Sequence, residues 1–525
     1  MSTRCYFMIK TTLITMSADG LENIEVERLQ TYLSNNNYKS EYIQLNEEKN
    51  VEEQFSCIDL ESKLFVMHIY SESSVYPKNI LKFVNLANKI KSEINDCIIV
   101  FGSKFASIYY KEILNDERFL CIDYIILGDG EYTLKALIDC IEKKDNISEF
   151  VSKHENIASK VYLSDKKTLS LDINKLPVPD RDFIINKKNL YGNYYAFICE
   201  SHGCCMKCAF CTRGQFYKWT GRSHESIFNE IKKIRTESAI KCFWFTGGSF
   251  EDPGGALGIK KIKDFCNLII EDDLNVSMRC YLRSNFVSKV NIDLLKLMKR
   301  AGFHVALVGI ESGNNFDLEL YNKGTTVDNN RIALKKLKEA GIYSDHFGFI
   351  MINPYSTPER LKANYLFLNK HQPHDLDNYV HHLVADPGTK IRKKIEEDGL
   401  LKPTDDFLKQ GTSYYFKNQY TEEVSAFLHK YFLIYDTETA GISTFIYHLS
   451  PFLPHGKIYE ESIELIMRRR ARVFSDYFRI LYIDMDIGLC EKNYGEFKRN
   501  LNQFDVELAA LKNKLVRDLV KFKIM

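Results

Sequence analysis

The feature that most constrains this fold is an alternation, repeated in two blocks, of short apolar runs ending on glycine or polar residues and longer segments of helical spacing. In the first block the apolar runs are CYFMIKTTLITM (5–16), SEYIQL, KLFVMHIY (63–70), CIIVFG (97–102) and IDYIILGDGE (122–131). Between them stand LENIEVERLQTYLSNN, with Leu21, Ile24, Leu29 and Leu33 near one face, NILKFVNLANKIKSEI and TLKALIDCIEK. Short buried strands alternating with helices predict a parallel, doubly wound sheet, a Rossmann-like α/β domain. Such sheets bind ligands at the carboxyl ends of their strands, where Gly102, Gly128 and Gly130 fall. His68, inside an apolar run, reads as a satisfied core histidine.

A proline-containing stretch, LPVPDRDF, follows within 151–190 and reads as a linker. The alternation then resumes. YYAFICE, KCFWFTGG, NVSMRCYLRS, HVALVGIESG, HFGFIMINP and YVHHLVADPG are strand candidates, and SIFNEIKKIRT, IDLLKLMKRA and DNNRIALKKLKEAG are helices between them. About six strand–helix units predict a partial or full parallel (β/α) barrel. The expected organisation is a Rossmann-like domain over 1–150, a linker over 151–190, a barrel over 191–390 and a mostly helical region over 391–525.

Composition narrows the function classes. The chain has 525 residues, 45% of them hydrophobic, enough for several cores. Lys plus Arg number 71 and Asp plus Glu 70, so no global field exists to hold a polyanion, and nucleic acid is excluded as the main ligand. No apolar run approaches the roughly 18 uncharged residues of a membrane span, and Lys10 with its neighbouring threonines interrupts the N-terminal apolar stretch, which reads as a strand and not a signal peptide. A cytoplasmic protein without membrane contact is expected. The 14 cysteines are too scattered for a disulfide scaffold.

Four of them are concentrated in SHGCCMKCAFC. Cys204, Cys208 and Cys211 form C-x3-C-x2-C directly after a predicted strand. Three thiolates on one tight loop suit a soft metal. A structural zinc site wants a fourth protein ligand, for which Cys205, Cys199 and His202 are candidates. An iron–sulfur cluster held by three cysteines leaves one iron open to an outside ligand. A zinc-loop binding or sensor protein is therefore the alternative from another class.

With aromatic Phe210 before its last cysteine, this loop resembles the signature of the radical S-adenosylmethionine (SAM) superfamily. FTGGS, with Gly247, Gly248 and Ser249, resembles the family's glycine-rich turn for the SAM amino group, with Ser249 where an acidic residue is usual. Arg283 and Ser284 of RSN sit where the family contacts the SAM carboxylate or ribose. Glu311 of GIESG, followed by NKGTT, resembles a subgroup motif near SAM, and GFIMINP, containing Ile350, is similar to the strand that flanks adenine.

The order of Rossmann-like domain, proline linker and barrel resembles the cobalamin-binding branch of that superfamily. GDGEYT matches a G-E-G-E-x-T element of the branch, placing Gly128, Gly130, Glu131 and Thr133 beside cobalamin. FGSKFAS stands where a Gly-Gly-x-His turn is frequent, and brings Gly102 and Ser103 to the same edge. PGTKIRKKIEEDGLL resembles a post-barrel element. The D-x-H-x-x-G motif is absent, so the resemblance implies no histidine from it below cobalt.

The resemblance implies three cofactors, a 4Fe-4S cluster, SAM and cobalamin, and reductive cleavage of SAM to a 5′-deoxyadenosyl radical. It implies methylation of an unactivated carbon in a natural product or peptide, with an external flavodoxin- or ferredoxin-type electron donor. The alternative within the family is a non-methylating reaction: dehydration, epimerisation, rearrangement or carbon–carbon bond formation. No residue is assigned to acid–base catalysis from the sequence.

Overall fold

The computed structural model describes residues 9–17, 22–46, 49–69, 77–163, 171–185, 194–372, 374–404, 406–432 and 438–524. In the first block the strands are β1 (Thr11–Ser17), β2 (Ser40–Asn46), β3 (Leu64–Ile69), β4 (Ile98–Gly102), β5 (Tyr124–Ile126) and β6 (Ile157–Ala158). They form one sheet in the order β2-β1-β3-β4-β5-β6, parallel except for β6. Residues 5–8 of the first predicted run lie outside the described residues. The sheet is doubly wound because both faces are apolar. Leu13, Val66 and Val100 pack with helices Ile24–Asn35 and Glu131–Glu142 on one side, while Ile14, Met67 and Phe101 pack with helix Pro77–Glu93 on the other. His68 has both ring nitrogens partnered, Nδ1 with Asn23 at 2.9 Å and Nε2 with Glu25 at 3.0 Å.

Within the stretch read as a linker, β6 adds to the first sheet, and helix Asp182–Ile185 follows the prolines. The second block supplies β7 (Tyr195–Ile198), the two-residue strands β8 (Ser201–His202) and β9 (Thr220–Gly221), β10 (Cys242–Phe245), β11 (Ser277–Arg283), β12 (Phe303–Gly309) and β13 (Tyr343–His346). Five of these make a parallel sheet in the order β13-β12-β11-β10-β7, and β8 pairs with β9. This is a partial barrel. HFGFIMINP, expected as a strand, joins a ladder only through its first residue, His346. The fifth strand ends at His346, and from there the chain is held through single bonds, Ile350 N–H to Glu311 O at 2.8 Å and an isolated bridge between Ile352 and His382. YVHHLVADPG begins in helix Leu376–Val380 and, beyond that bridge, is held by single bonds such as Ala385 N–H to Gly411 O at 2.7 Å.

Alternation along β11 sorts its side chains. Met278, Cys280 and Leu282 join the core beneath the outer helices, and Arg279, Tyr281 and Arg283 take the opposite face. At the amino ends of the strands the barrel is closed by helix Glu438–Leu449: His448 Nδ1 meets Ser277 Oγ at 2.8 Å, Thr444 Oγ1 donates to Asp345 Oδ2 at 3.1 Å, and Tyr447 stacks on Tyr343 at 3.8 Å. Helices Gly456–Arg479 and Ile487–Lys521 complete a helical C-terminal region. Among the described residues no helix is long and apolar enough to cross a membrane.

Candidate metal centre

Residues 203–211 form one loop between β8 and helix Thr212–Phe216, facing the carboxyl ends of the barrel strands. Gly203 starts it with φ +68°, a region glycine enters without strain. The side-chain amide of Gln215 ties the loop from within, donating to the carbonyls of Cys208 (3.0 Å), Ala209 (3.0 Å) and Cys211 (3.1 Å). Asn322 holds the Lys207 carbonyl at 2.8 Å, and Ala209 N–H donates to Tyr321 O at 2.7 Å. The backbone N–H of Met206 points at Cys204 Sγ, 3.4 Å away. Burial pushes the Cys204 thiol up to about 12 and raises that of Cys208, against the nearby Lys323 ammonium. Only a bound metal would draw these groups into thiolates near neutrality. Cys205 is exposed and turned to one side, its N–H donating to Asp252 Oδ2 at 3.2 Å. Among the described residues no three His, Cys, Asp or Glu side chains form a single-ion site.

The glycine-rich turn after β10 lies against this loop. A Cβ on Gly248 would stand 2.6 Å from Gly203 O and 3.0 Å from Cys204 Cβ, and one on Gly247 would collide with Glu200 and Ser201. Gly247 N–H donates to Glu200 Oε2 at 2.9 Å. Ser249 is buried and donates to Glu251 Oε2 at 2.7 Å. Arg283, at the end of β11, pairs through Nε with Glu251 Oε1 (2.8 Å) and through Nη2 with Asp252 Oδ1 (2.7 Å). Burial raises Glu251, with the Arg283 charge opposing. The Nη1 of Arg283 is buried and has no hydrogen-bond partner among the described residues. Ser284 and Asn285 cap no helix. Ser284 Oγ meets Thr325 Oγ1 at 3.0 Å, and Asn285 Nδ2 donates to Gly324 O at 3.0 Å.

Glu311 has φ +64° and pairs with Lys323 Nζ at 2.7 Å. Burial alone would lower the Lys323 ammonium, but Glu311 and the Cys208 sulfur hold it raised. Phe210 packs edge-on against Tyr321 at 5.6 Å, beside the apolar cluster that contains Ile350. Cys204, Cys208, Cys211, Gly247, Gly248, Arg283 and Glu311 thus ring one end of the barrel. Sequence reasoning missed the carboxylates Glu200, Glu251 and Asp252. Two of them follow FTGGS after a single phenylalanine, so the displaced acidic position was visible two residues beyond Ser249.

The six residues predicted on the first sheet divide. Gly102 and Ser103 end β4, and Gly128 and Gly130 follow β5, so all four lie along one carboxyl edge. A Cβ on Gly102 would meet nothing within 4 Å, so that edge has room for a ligand. Ser103 Oγ accepts from Ala106 N–H as a helix cap at 3.0 Å, and Gly128 N–H donates to Ser107 Oγ at 2.9 Å. Thr133 is buried, and Glu131, 1% exposed, is paired with Arg28 at 2.6 Å. This edge faces the cysteine loop: Asp129 lies 3.3 Å from His202, two residues before Cys204.

The site is thus a three-cysteine loop at the mouth of an open parallel barrel, beside a doubly wound sheet, with the donor set of an iron–sulfur cluster. Residues 200–368 match the family model of the radical SAM superfamily. That match sets aside the zinc-loop reading. The chain is 28% identical over 319 residues to an uncharacterized methyltransferase of Pyrococcus horikoshii, covering 60% of this chain and 66% of the relative. It is 25% identical over 268 residues to the anaerobic magnesium-protoporphyrin IX monomethyl ester cyclase of Synechocystis, covering 49% and 50%. The chain therefore spans about half to two thirds of the length of these curated relatives. Among solved structures, the cobalamin-dependent SAM radical enzyme OxsB with aqua-cobalamin and SAM bound superposes over 98% of this chain and 81% of its own, at a TM-score of 0.70 and 17% identity. The radical SAM methyltransferase TsrM from Kitasatospora setae superposes over 76% of each chain, at 0.57 and 16% identity. This chain shares its fold with both structures.

Proposed function

We propose that this chain is a cobalamin-dependent radical SAM methyltransferase acting on an unactivated carbon of a small natural product or peptide. The observation that carries the reading is the meeting of two ligand-binding edges: the carboxyl edge of the first sheet stands against the cysteine loop through Asp129 and His202. Cys204, Cys208 and Cys211 would hold a 4Fe-4S cluster. The donor set fits, with three thiols, a backbone N–H on one sulfur and the Lys323 charge beside another. Bound there, such a cluster supplies the electron that cleaves a carbon–sulfur bond of SAM. Gly247 and Gly248 would line the SAM amino group, and the unpartnered Arg283 Nη1 is a donor for its carboxylate. Glu251 and Asp252 hold that guanidinium still, while Phe210, Ile350 and the Glu311–Lys323 pair wall the site and exclude water.

The backbone at Gly102, Ser103, Gly128 and Gly130 would face cobalamin, which when bound carries the methyl group to be transferred. Glu131 and Thr133 stand behind that edge and support it. A reductant of the flavodoxin or ferredoxin type completes the reading. The likeness to the cyclase favours a second reading, a radical reaction without methyl transfer.

Anaerobic purification with iron, sulfide and cobalamin quantified on one sample tests the cofactors. C204A, C208A and C211A should each lose most of the iron, and C205A should retain it. With substrate, methyl transfer yields both S-adenosylhomocysteine and 5′-deoxyadenosine. 5′-Deoxyadenosine alone refutes methylation and leaves the second reading.

A further inference from the structure

A set of buried side chains joins the first sheet to the cysteine loop, and Arg28, at its centre, has no part in the proposed reaction. Arg28 lies in helix Ile24–Asn35 and is 5% exposed. Its Nε donates to Glu131 Oε1 at 2.6 Å, its Nη1 meets His202 Nε2 at 2.9 Å, and its Nη2 is 3.7 Å from Asp129 Oδ1. The other ring nitrogen of His202, Nδ1, lies 3.3 Å from Asp129 Oδ2. Asp129 Oδ2 also accepts from Leu171 N–H at 2.7 Å. One side chain thereby touches the turn after β5 and the short strand that runs into the cysteine loop. A lysine ammonium, a single point of charge, cannot reach all three partners in this fork.

We propose that Arg28 is a positioning residue: acting through His202, it locks the cysteine loop to the carboxyl edge of the first sheet, so that the two cofactor-binding edges hold one fixed separation. The carboxylate of Glu131 serves this lock and is not a ligand to a cofactor. The inference rests on contacts within the chain, and its first readout needs neither SAM, cobalamin nor substrate. Failure of the methyltransferase reading would leave it standing, and the reverse also holds.

Hydrogen exchange on the full chain, reconstituted anaerobically with iron and sulfide, tests it. R28M should speed exchange about tenfold both in 127–134 and in 199–206, since charge-assisted bonds to both segments are lost. H202A should free the same two segments from the other end. The double variant should be no faster than the faster single, because both act on one link. The electron paramagnetic resonance spectrum of the reduced cluster should shift alike in R28M and H202A, which loss of stability alone would not produce, and R28K should restore part of it. The proposal is overturned if R28M frees 127–134 but leaves 199–206 protected as in the wild type, if the single effects multiply in the double variant, or if the spectrum does not move. Should R28M fail to fold, H202A and R28K carry the same comparison.

Discussion

At the scale of single residues, the contrast between two glycines separates close packing from open space. Gly248 is pressed between Gly203 O and Cys204 Cβ, neither of which is the far end of a flexible side chain. G248A must shift the cysteine loop, and iron bound after reconstitution should fall by at least half. Gly102 faces open space, so G102A should leave thermal stability within about 0.5 kcal/mol of wild type. G102L, with its larger side chain on the edge proposed for cobalamin, should lower bound cobalamin while iron is retained. Equal loss of both would place Gly102 in the fold and not at that edge. The cysteine triad was legible because its meaning is local, three thiols within eight residues. The role of Glu131 was not, because its partner Arg28 lies 103 residues away and nothing in GDGEYT announces it. Arg283 was readable either as a ligand to SAM or as half of an ion pair, and the structure shows it paired, with one nitrogen left over.

At the scale of elements, β7 is an edge strand of the barrel sheet, and an unpaired edge is a liability. Here two charged side chains cover it. Phe197 N–H donates to Glu22, the Phe197 carbonyl accepts from Arg181 Nη2 at 3.0 Å, and Arg181 and Glu22 pair with each other at 2.8 Å. Arg181 is 1% exposed and also stands 3.7 Å from Glu230. R181M would strand Glu22 in the interior, while Glu230 keeps its pair with Arg222 at 2.5 Å, and breaking a buried pair from one side costs about 3–5 kcal/mol. Urea denaturation should show a loss of that size, and E22Q added to R181M should return part of it. A loss below about 1 kcal/mol would mean that water already reaches this edge. Most strands of both sheets were legible as short apolar runs, but the two-residue β6 lies in the stretch read as a linker and β13 is the polar run YSDH. The covering of β7 was not, since LPVPDRDF carries only the signals of a linker, and the use of its arginine appears only once Glu22 is brought beside it. HFGFIMINP misled for a related reason: its apolar residues are buried by helix packing and single backbone bonds, which hydropathy does not distinguish from a ladder.

At the scale of the whole molecule, the C-terminal helices bring histidines into places where charge is costly. His382 is 6% exposed, its Nδ1 near Val380 O (2.9 Å) and its Nε2 near Ser425 Oγ (3.0 Å) on helix Gln419–Phe432. Burial, helped by His429 and His381, lowers it to about 3, and burial lowers His304 to about 3 and His374 to about 4. An unfolded histidine titrates near 6.5. Between 6.5 and about 3 the unfolded chain therefore binds protons that the folded chain refuses. Stability is full above pH 6.5 and falls as the pH drops through that window, by up to about 1.4 kcal/mol per pH unit for each such histidine. Urea midpoints should hold from pH 7.5 to about 6.5 and then move down steadily to pH 5. H382Q, which cannot take up a proton but keeps a hydrogen-bonding side chain, should remove about 2 kcal/mol of the loss at pH 5. If the pH slope of H382Q equals that of the wild type, the junction between the barrel and helix Gln419–Phe432 opens before the rest unfolds. Acid sensitivity would then reside in the histidines His304 and His448, which meet Ser277 beneath the barrel.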